Sequence, residues 1–138
     1  MTRSYRLLYI DDARNDHELF AQGIAQEDLP ISLVSCFTAR EALQILSRDR
    51  NFDLILIDIF MPELTGDMLL GLLMVRPELR GIPRMLISSC PPPQLPGSLI
   101  HLADHPYVLK PKDWPGFVRL ATDLMGILEA RLGKRASH

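Results

Sequence analysis

Five residues of this 138-residue sequence combine types that could do phosphate chemistry: Asp11, Asp12, Asp58, Ser88 and Lys110. Each stands at or just past the end of a short apolar run. If one architecture brings them together, three carboxylates meet one hydroxyl and one ammonium. Carboxylates at close range repel and stay ionised together only beside positive charge. A hard cation such as Mg²⁺ suits an all-oxygen donor set, because it keeps several waters and takes one or two carboxylates plus a phosphate oxygen. Lys110 would add a point charge and Ser88 a hydrogen-bond donor, a pairing that fits a tetrahedral dianion. An aspartate in that setting can attack phosphorus and form an acyl phosphate. In-line transfer of this kind needs neutralised charge more than it needs an acid or a base.

For the five to meet, the runs before them must be strands of one sheet. Arg6-Leu7-Leu8-Tyr9-Ile10 reads as a buried strand cut off by Asp11-Asp12. Ile31 to Phe37 is a second, and Phe52 to Ile59 is the strongest. A strand apolar on both faces belongs inside a parallel sheet covered by helices. Arg84 to Ser88 and Tyr107 to Lys110 complete five. Between them lie helical stretches. Asp16 to Glu27 carries Leu19, Phe20, Gly23 and Ile24 on one stripe. Thr38-Ala39-Arg40-Glu41 is a capping box opening a helix that buries Ala42, Leu43 and Leu46 and ends near Arg50. Gly66 to Val75 is stopped by Pro77. Asp113-Trp114-Pro115 opens the last helix, with Asp113 as N-cap and Pro115 in the first turn; Leu120, Leu124, Ile127, Leu128 and Leu132 follow at helical spacing, and Trp114 is expected to pack. Alternating strands and helices predict an α/β, doubly wound, five-stranded parallel sheet, whose functional groups gather at the carboxyl ends of the strands.

Taken singly, each site residue has an ordinary reading. Asp11-Asp12 could cap a turn, Asp58 could be a solvated strand end, Lys110 a surface lysine, Ser88 a turn residue and Tyr107 a core aromatic. Their order and spacing favour the joint reading. With Asp58-Ile59-Phe60-Met61-Pro62, Gly66, Pro83 and Tyr107-Val108-Leu109-Lys110-Pro111, the sequence resembles the receiver domain of two-component response regulators from Arg6 to Leu132. The resemblance implies the flavodoxin-like strand order 2-1-3-4-5. It implies Asp58 as phosphoacceptor and Mg²⁺ bound by Asp12, by Asp11 mainly through water, by Asp58 and by the backbone carbonyl of Phe60. It implies Ser88 and Lys110 as phosphoryl-binding groups and Tyr107 as the aromatic that follows the switch. Met61, Pro62 and Gly66 would shape the loop after the acceptor. It further implies a phosphoryl donor that is a histidine kinase or a histidine phosphotransfer protein, and signalling by altered protein contacts rather than by a classical enzyme activity.

Two features depart from the family. Pro91-Pro92-Pro93 and Pro96-Gly97 fall where a fourth helix would begin. An interior proline costs a helix about 3 kcal/mol, so the fourth helix is expected to be delayed and short, near Ser98 to Ala103. The second departure is apolar Phe60, two positions after the acceptor, with uncharged Cys90 two after the switch hydroxyl. Neither can orient a hydrolytic water well, which predicts slow loss of a phosphoryl group. Phe60 also argues against a phosphoester hydrolase, which would carry a second acid there. A receiver-like scaffold that binds partners without phosphorylation is the remaining alternative.

Composition bounds the rest. The length fits a single domain spanning 1–138, with a core of about 6–132 and a frayed tail at 133–138. Net charge is -2, with 47% hydrophobic and 23% charged residues, which suits an ordinary globular domain and argues against a broad grip on nucleic acid. Cys36 and Cys90 read as buried thiols of a reducing compartment. No run approaches the about 20 apolar residues of a membrane span, and the polar start is not a signal peptide, so the expectation is a cytoplasmic protein. His17, His101, His105 and His138 lack metal-ligand spacing and are expected in solvent. Oligomeric state is not legible.

Overall fold

The structure, a computed structural model, describes residues 4–136, with side chains for 4–131. Strands β1 (Tyr5–Ile10), β2 (Ile31–Cys36), β3 (Leu54–Asp58), β4 (Arg84–Ser88) and β5 (Tyr107–Leu109) form one sheet in the order β2-β1-β3-β4-β5. All four pairings are parallel. Helices α1 (Arg14–Gln26), α2 (Ala39–Leu46), α3 (Gly66–Met74) and α4 (Trp114–Ala136) cover its two faces.

Successive strand side chains point to opposite faces, so each inner strand feeds two cores. Leu8, Ile10, Ile55, Ile57 and Leu86 pack with α2 and α3 through Ala42, Leu46, Leu69 and Leu73. Leu7, Tyr9, Leu54, Leu56 and Ile87 pack with α1 and α4 through Phe20, Ile24, Phe117 and Leu124. All five residues of β3 are buried, which is why its sequence lacks polar alternation. On the second face α1 and α4 approach closely at Gly23, where an added Cβ would lie 3.1 Å from the Phe117 carbonyl oxygen.

Helix starts follow their capping residues. Thr38 Oγ1 accepts the Glu41 N–H at 3.0 Å, and Asp113 Oδ1 accepts the Gly116 N–H at 2.9 Å. Helix α1 begins two residues earlier than its apolar stripe suggests, at Arg14. The preceding turn is closed by Asp11, whose Oδ1 accepts the Ala13 N–H at 2.9 Å. The last helix stays helical to Ala136, past Gly133 where fraying is expected; residues 137–138 lie outside the described residues, and the Leu132 side chain lies outside the described side chains. Trp114 does not pack as expected. It is 39% exposed, beside Gln22, Ala25 and Gln26 of α1.

Between β4 and β5 the delayed fourth helix is present but has 3₁₀ geometry, over Pro92–Gln94 and Gly97–Asp104. Prolines at 91, 92, 93 and 96 shorten the stretch that can turn, and the longer piece buries only Leu102. Helices this short rely on packing, and one anchor leaves the tighter, shorter turn form. Leu102 should therefore hold the longer piece. Leu102→Ala is expected to cost about 2–5 kcal/mol in urea unfolding, while Ile100→Ala, at an exposed position of the same piece, stays within about 0.5 kcal/mol. Equal effects would show that the segment is not anchored this way.

Candidate functional site

The carboxyl ends of β1, β3 and β5 bring Asp11, Asp12, Asp58 and Lys110 together, and Ser88 ends the adjoining β4. Asp11 follows β1 and is fully buried. Its Oδ2 accepts from the Tyr9 hydroxyl at 2.6 Å and lies 2.7 Å from Lys110 Nζ. Asp58 ends β3, also buried, with its Oδ2 3.5 Å from the same ammonium. The Phe60 N–H reaches Asp58 Oδ1 at 3.4 Å. Asp12 is exposed at the mouth of the site. Ligand oxygens of Asp11, Asp12 and Asp58 all lie within 4.8 Å of one another.

Ser88 is buried at the end of β4. Its Oγ accepts the Cys90 N–H at 3.0 Å, and its carbonyl accepts the Lys110 N–H at 2.8 Å. Tyr107 is half-buried, and its hydroxyl donates to the Cys90 carbonyl at 2.6 Å. Loop residues Met61 and Gly66 are buried, with Pro62 exposed between them. Gly66 donates to the Ile59 carbonyl at 2.9 Å. A Cβ at Gly66 would fall 2.2 Å from the Asp58 carbonyl oxygen, so only glycine fits behind Asp58. Glu63 takes φ 65°, a left-handed conformation that costs a non-glycine residue strain. The Phe60 side chain is 45% exposed.

Burial, and then the Asp11 charge, push the Asp58 carboxyl up to about 7; Lys110 and the Phe60 N–H pull it the other way. Burial opposes the Lys110 ammonium, but Asp11, Asp58 and Asp16 outweigh it and raise its pKa. Burial and the Asp11 carboxylate raise the Tyr9 phenol. The site is thus over-supplied with negative charge, and its donors are all oxygens. That chemistry fits a hard cation. The Asp11 carboxylate already receives Tyr9, Lys110 and the Ala13 N–H, so Asp12 and Asp58 retain the more available lone pairs.

Three residues of this network are not among those singled out by sequence. Asp16, in the first turn of α1, places Oδ2 3.2 Å from Lys110 Nζ. Tyr9 reads as a strand apolar but spends its hydroxyl on Asp11. His17, expected in solvent, is buried. Its Nε2 donates to the Asp11 carbonyl at 2.7 Å, which leaves Nδ1 to accept the Ser35 hydroxyl at 2.8 Å. Burial lowers its pKa and favours this neutral form. The available signal was spacing: His17 lies three and seven residues before Phe20 and Ile24, on the buried stripe.

No family model matches the sequence. Among curated proteins, it is 34% identical over 83 residues to the two-component response regulator ORR3 of Oryza sativa subsp. japonica, covering 60% of this chain and 62% of that protein. It is 26% identical over 108 residues to ORR8 of the same rice, covering 78% and 88%. The chain thus spans less than two thirds of the length of ORR3. Among solved structures, the phosphorylated cyanobacterial phytochrome response regulator RcpA matches with a TM-score of 0.72 at 20% identity, covering 92% of this chain and 93% of that one. The bacteriophytochrome response regulator AtBRR matches at 0.69 and 22%, covering 89% and 94%. The relatives are two-component response regulators, and the fold is that of their receiver domains.

In this receiver fold the acidic cluster is packed against the Lys110 ammonium, and two outcomes follow. Gly66→Ala should displace the Asp58 backbone and destabilise the protein by about 2 kcal/mol or more, read by urea unfolding; a neutral effect would contradict the close approach. The second concerns pH in the presence of a chelator. An Asp58 that titrates near 7 when folded and near 3.9 when unfolded binds its proton more tightly in the folded state. Its contribution is complete below about pH 4 and is lost as pH rises through about 7. Asp58→Asn should therefore be more stable than the parent at pH 8, with the gap closing towards pH 4. A gap that widens at low pH would reverse the assignment.

Proposed function

We propose that the chain is a phosphoacceptor of a two-component phosphorelay, taking a phosphoryl group on Asp58 from a phosphohistidine donor. The observation that carries this reading is the buried Asp58 carboxylate, 3.5 Å from Lys110, at the strand end adjoining that of Ser88. An Asp58 oxygen would attack phosphorus in line while the P–N bond to the donor imidazole breaks, and the released imidazole takes up a proton. Lys110 offsets charge on the phosphoryl oxygens, and the Ser88 hydroxyl donates to one of them. The Asp58 carboxylate, the exposed Asp12 and the Phe60 carbonyl would hold Mg²⁺, with Asp11 acting through water. The ion supplies the remaining positive charge that three carboxylates and a dianion require. Donors of the matching chemistry are a histidine kinase or a histidine phosphotransfer protein, and the output is altered protein contact rather than turnover.

A second reading has one feature in its favour. The proline-rich stretch 91–97 replaces the usual start of the fourth helix, which suits a receiver-like scaffold that binds partners without phosphorylation.

Incubation with Mg²⁺ and acetyl phosphate, or with beryllofluoride, separates the two. The acceptor reading expects one phosphoryl group per chain, absent in Asp58→Ala, together with altered hydrogen exchange across residues 90–106. It also expects slow loss of the group, because exposed Phe60 and uncharged Cys90 do not orient water. An unresponsive parent protein favours the scaffold, and self-hydrolysis within seconds overturns the lifetime expectation.

A further inference from the structure

Asp16 has no role in the chemistry described so far, yet its carboxylate points at the central charge of the site. Lys110 Nζ lies 2.7 Å from Asp11 Oδ2, 3.2 Å from Asp16 Oδ2 and 3.5 Å from Asp58 Oδ2. The ammonium therefore sits closer to both carboxylates on the α1 side than to the acceptor. Asp11 remains satisfied if Lys110 moves, because it also receives Tyr9 and the Ala13 N–H. Asp16 is anchored in the first turn of a 13-residue helix that packs along α4, so it cannot follow the ammonium far.

Resting on the acceptor reading, we propose that Asp16 is a positioning residue that tethers Lys110 to α1 and restrains phosphoryl uptake at Asp58. A phosphoryl group replaces the single charge of the Asp58 carboxylate with an acyl phosphate of roughly two negative charges, now carried on the phosphoryl oxygens. To serve it, Lys110 must shift from the Asp16 side towards Asp58. Asp16 opposes this twice: it competes for the ammonium, and it repels the incoming dianion. Its side chain is 20% exposed, so water screens part of the effect and the restraint is moderate rather than absolute.

A purely structural role predicts something else. A carboxylate in the first turn of a helix is stabilising there, so its loss would lower stability and leave ligand affinity unchanged. Asp16→Asn separates the two. With Mg²⁺ and beryllofluoride it should bind roughly three- to tenfold more tightly than the parent, and take phosphate from acetyl phosphate faster by a similar factor. The gap should shrink as salt rises from 0.05 M to about 0.5 M, because the effect is one of charge. Asp16→Glu keeps the charge and should retain the parent's affinity. Unchanged or weaker binding by Asp16→Asn, beside a responsive parent, overturns the tether alone. A parent that neither binds beryllofluoride nor takes up phosphate overturns the acceptor reading, and the tether falls with it.

Discussion

Among the described residues, one ammonium sits among four carboxylates, and that is the constraint on which this site is built. Lys110 lies within 3.5 Å of Asp11, Asp16 and Asp58, while Asp12 closes the cluster from the solvent side. In a buried setting such an imbalance is tolerated only if the carboxylates share donors, hold protons or attract further positive charge. The first is present at Asp11, and the chemistry of the cluster fits the other two. Asp11 divides itself among three donors, Asp58 has a raised pKa, and the oxygen-only cluster suits a divalent cation.

The fold supplies that imbalance at low conformational cost. Parallel strands end at one edge, so four apolar runs deliver four polar termini without long loops. Each terminus is fixed by a different local device. Asp11 is held by a phenol from two residues earlier, and its carbonyl is held by His17 from α1. Asp58 is backed by a glycine that no other residue could replace without moving the backbone. Lys110 is registered to Ser88 by a backbone hydrogen bond that continues the β4–β5 pairing. The rigidity of the site is the rigidity of the sheet.

Most of this was legible in sequence because it depends on period and order. The five strands follow from apolar runs, and the acidic cluster from the polar groups that end four of them; their order in the sheet was implied by the family resemblance. Residues whose role depends on tertiary approach were not legible. Tyr9 alternates correctly as a strand apolar, and nothing in its spacing says where the hydroxyl goes. His17 and Asp16 sit one position apart on α1; the first faces the core and the second faces the site, a distinction of about 100° that needs the helix start to be fixed. That start is set by the Asp11 side chain, a contact that composition does not encode. The 3₁₀ geometry after β4 was half legible: prolines exclude an α-helix there, but they do not choose its replacement.

The same proline-rich connection limits how a change at Asp58 can spread. Ser88 joins it through the Cys90 N–H, and Tyr107 joins it through the Cys90 carbonyl. One residue thus carries both hydrogen bonds between the site and the segment. Beyond it, each proline fixes φ near −65°, so the chain has few soft dihedrals until Leu95, which is buried. A displacement at Cys90 is therefore passed along rather than absorbed. At the far end, His101 lies 3.2 Å from Asp67 of α3, on an exposed surface, where an ion pair is worth little. The segment is stiff where it meets the site, and its far end is held by buried Leu102 in the core shared with α3 rather than by this exposed pair.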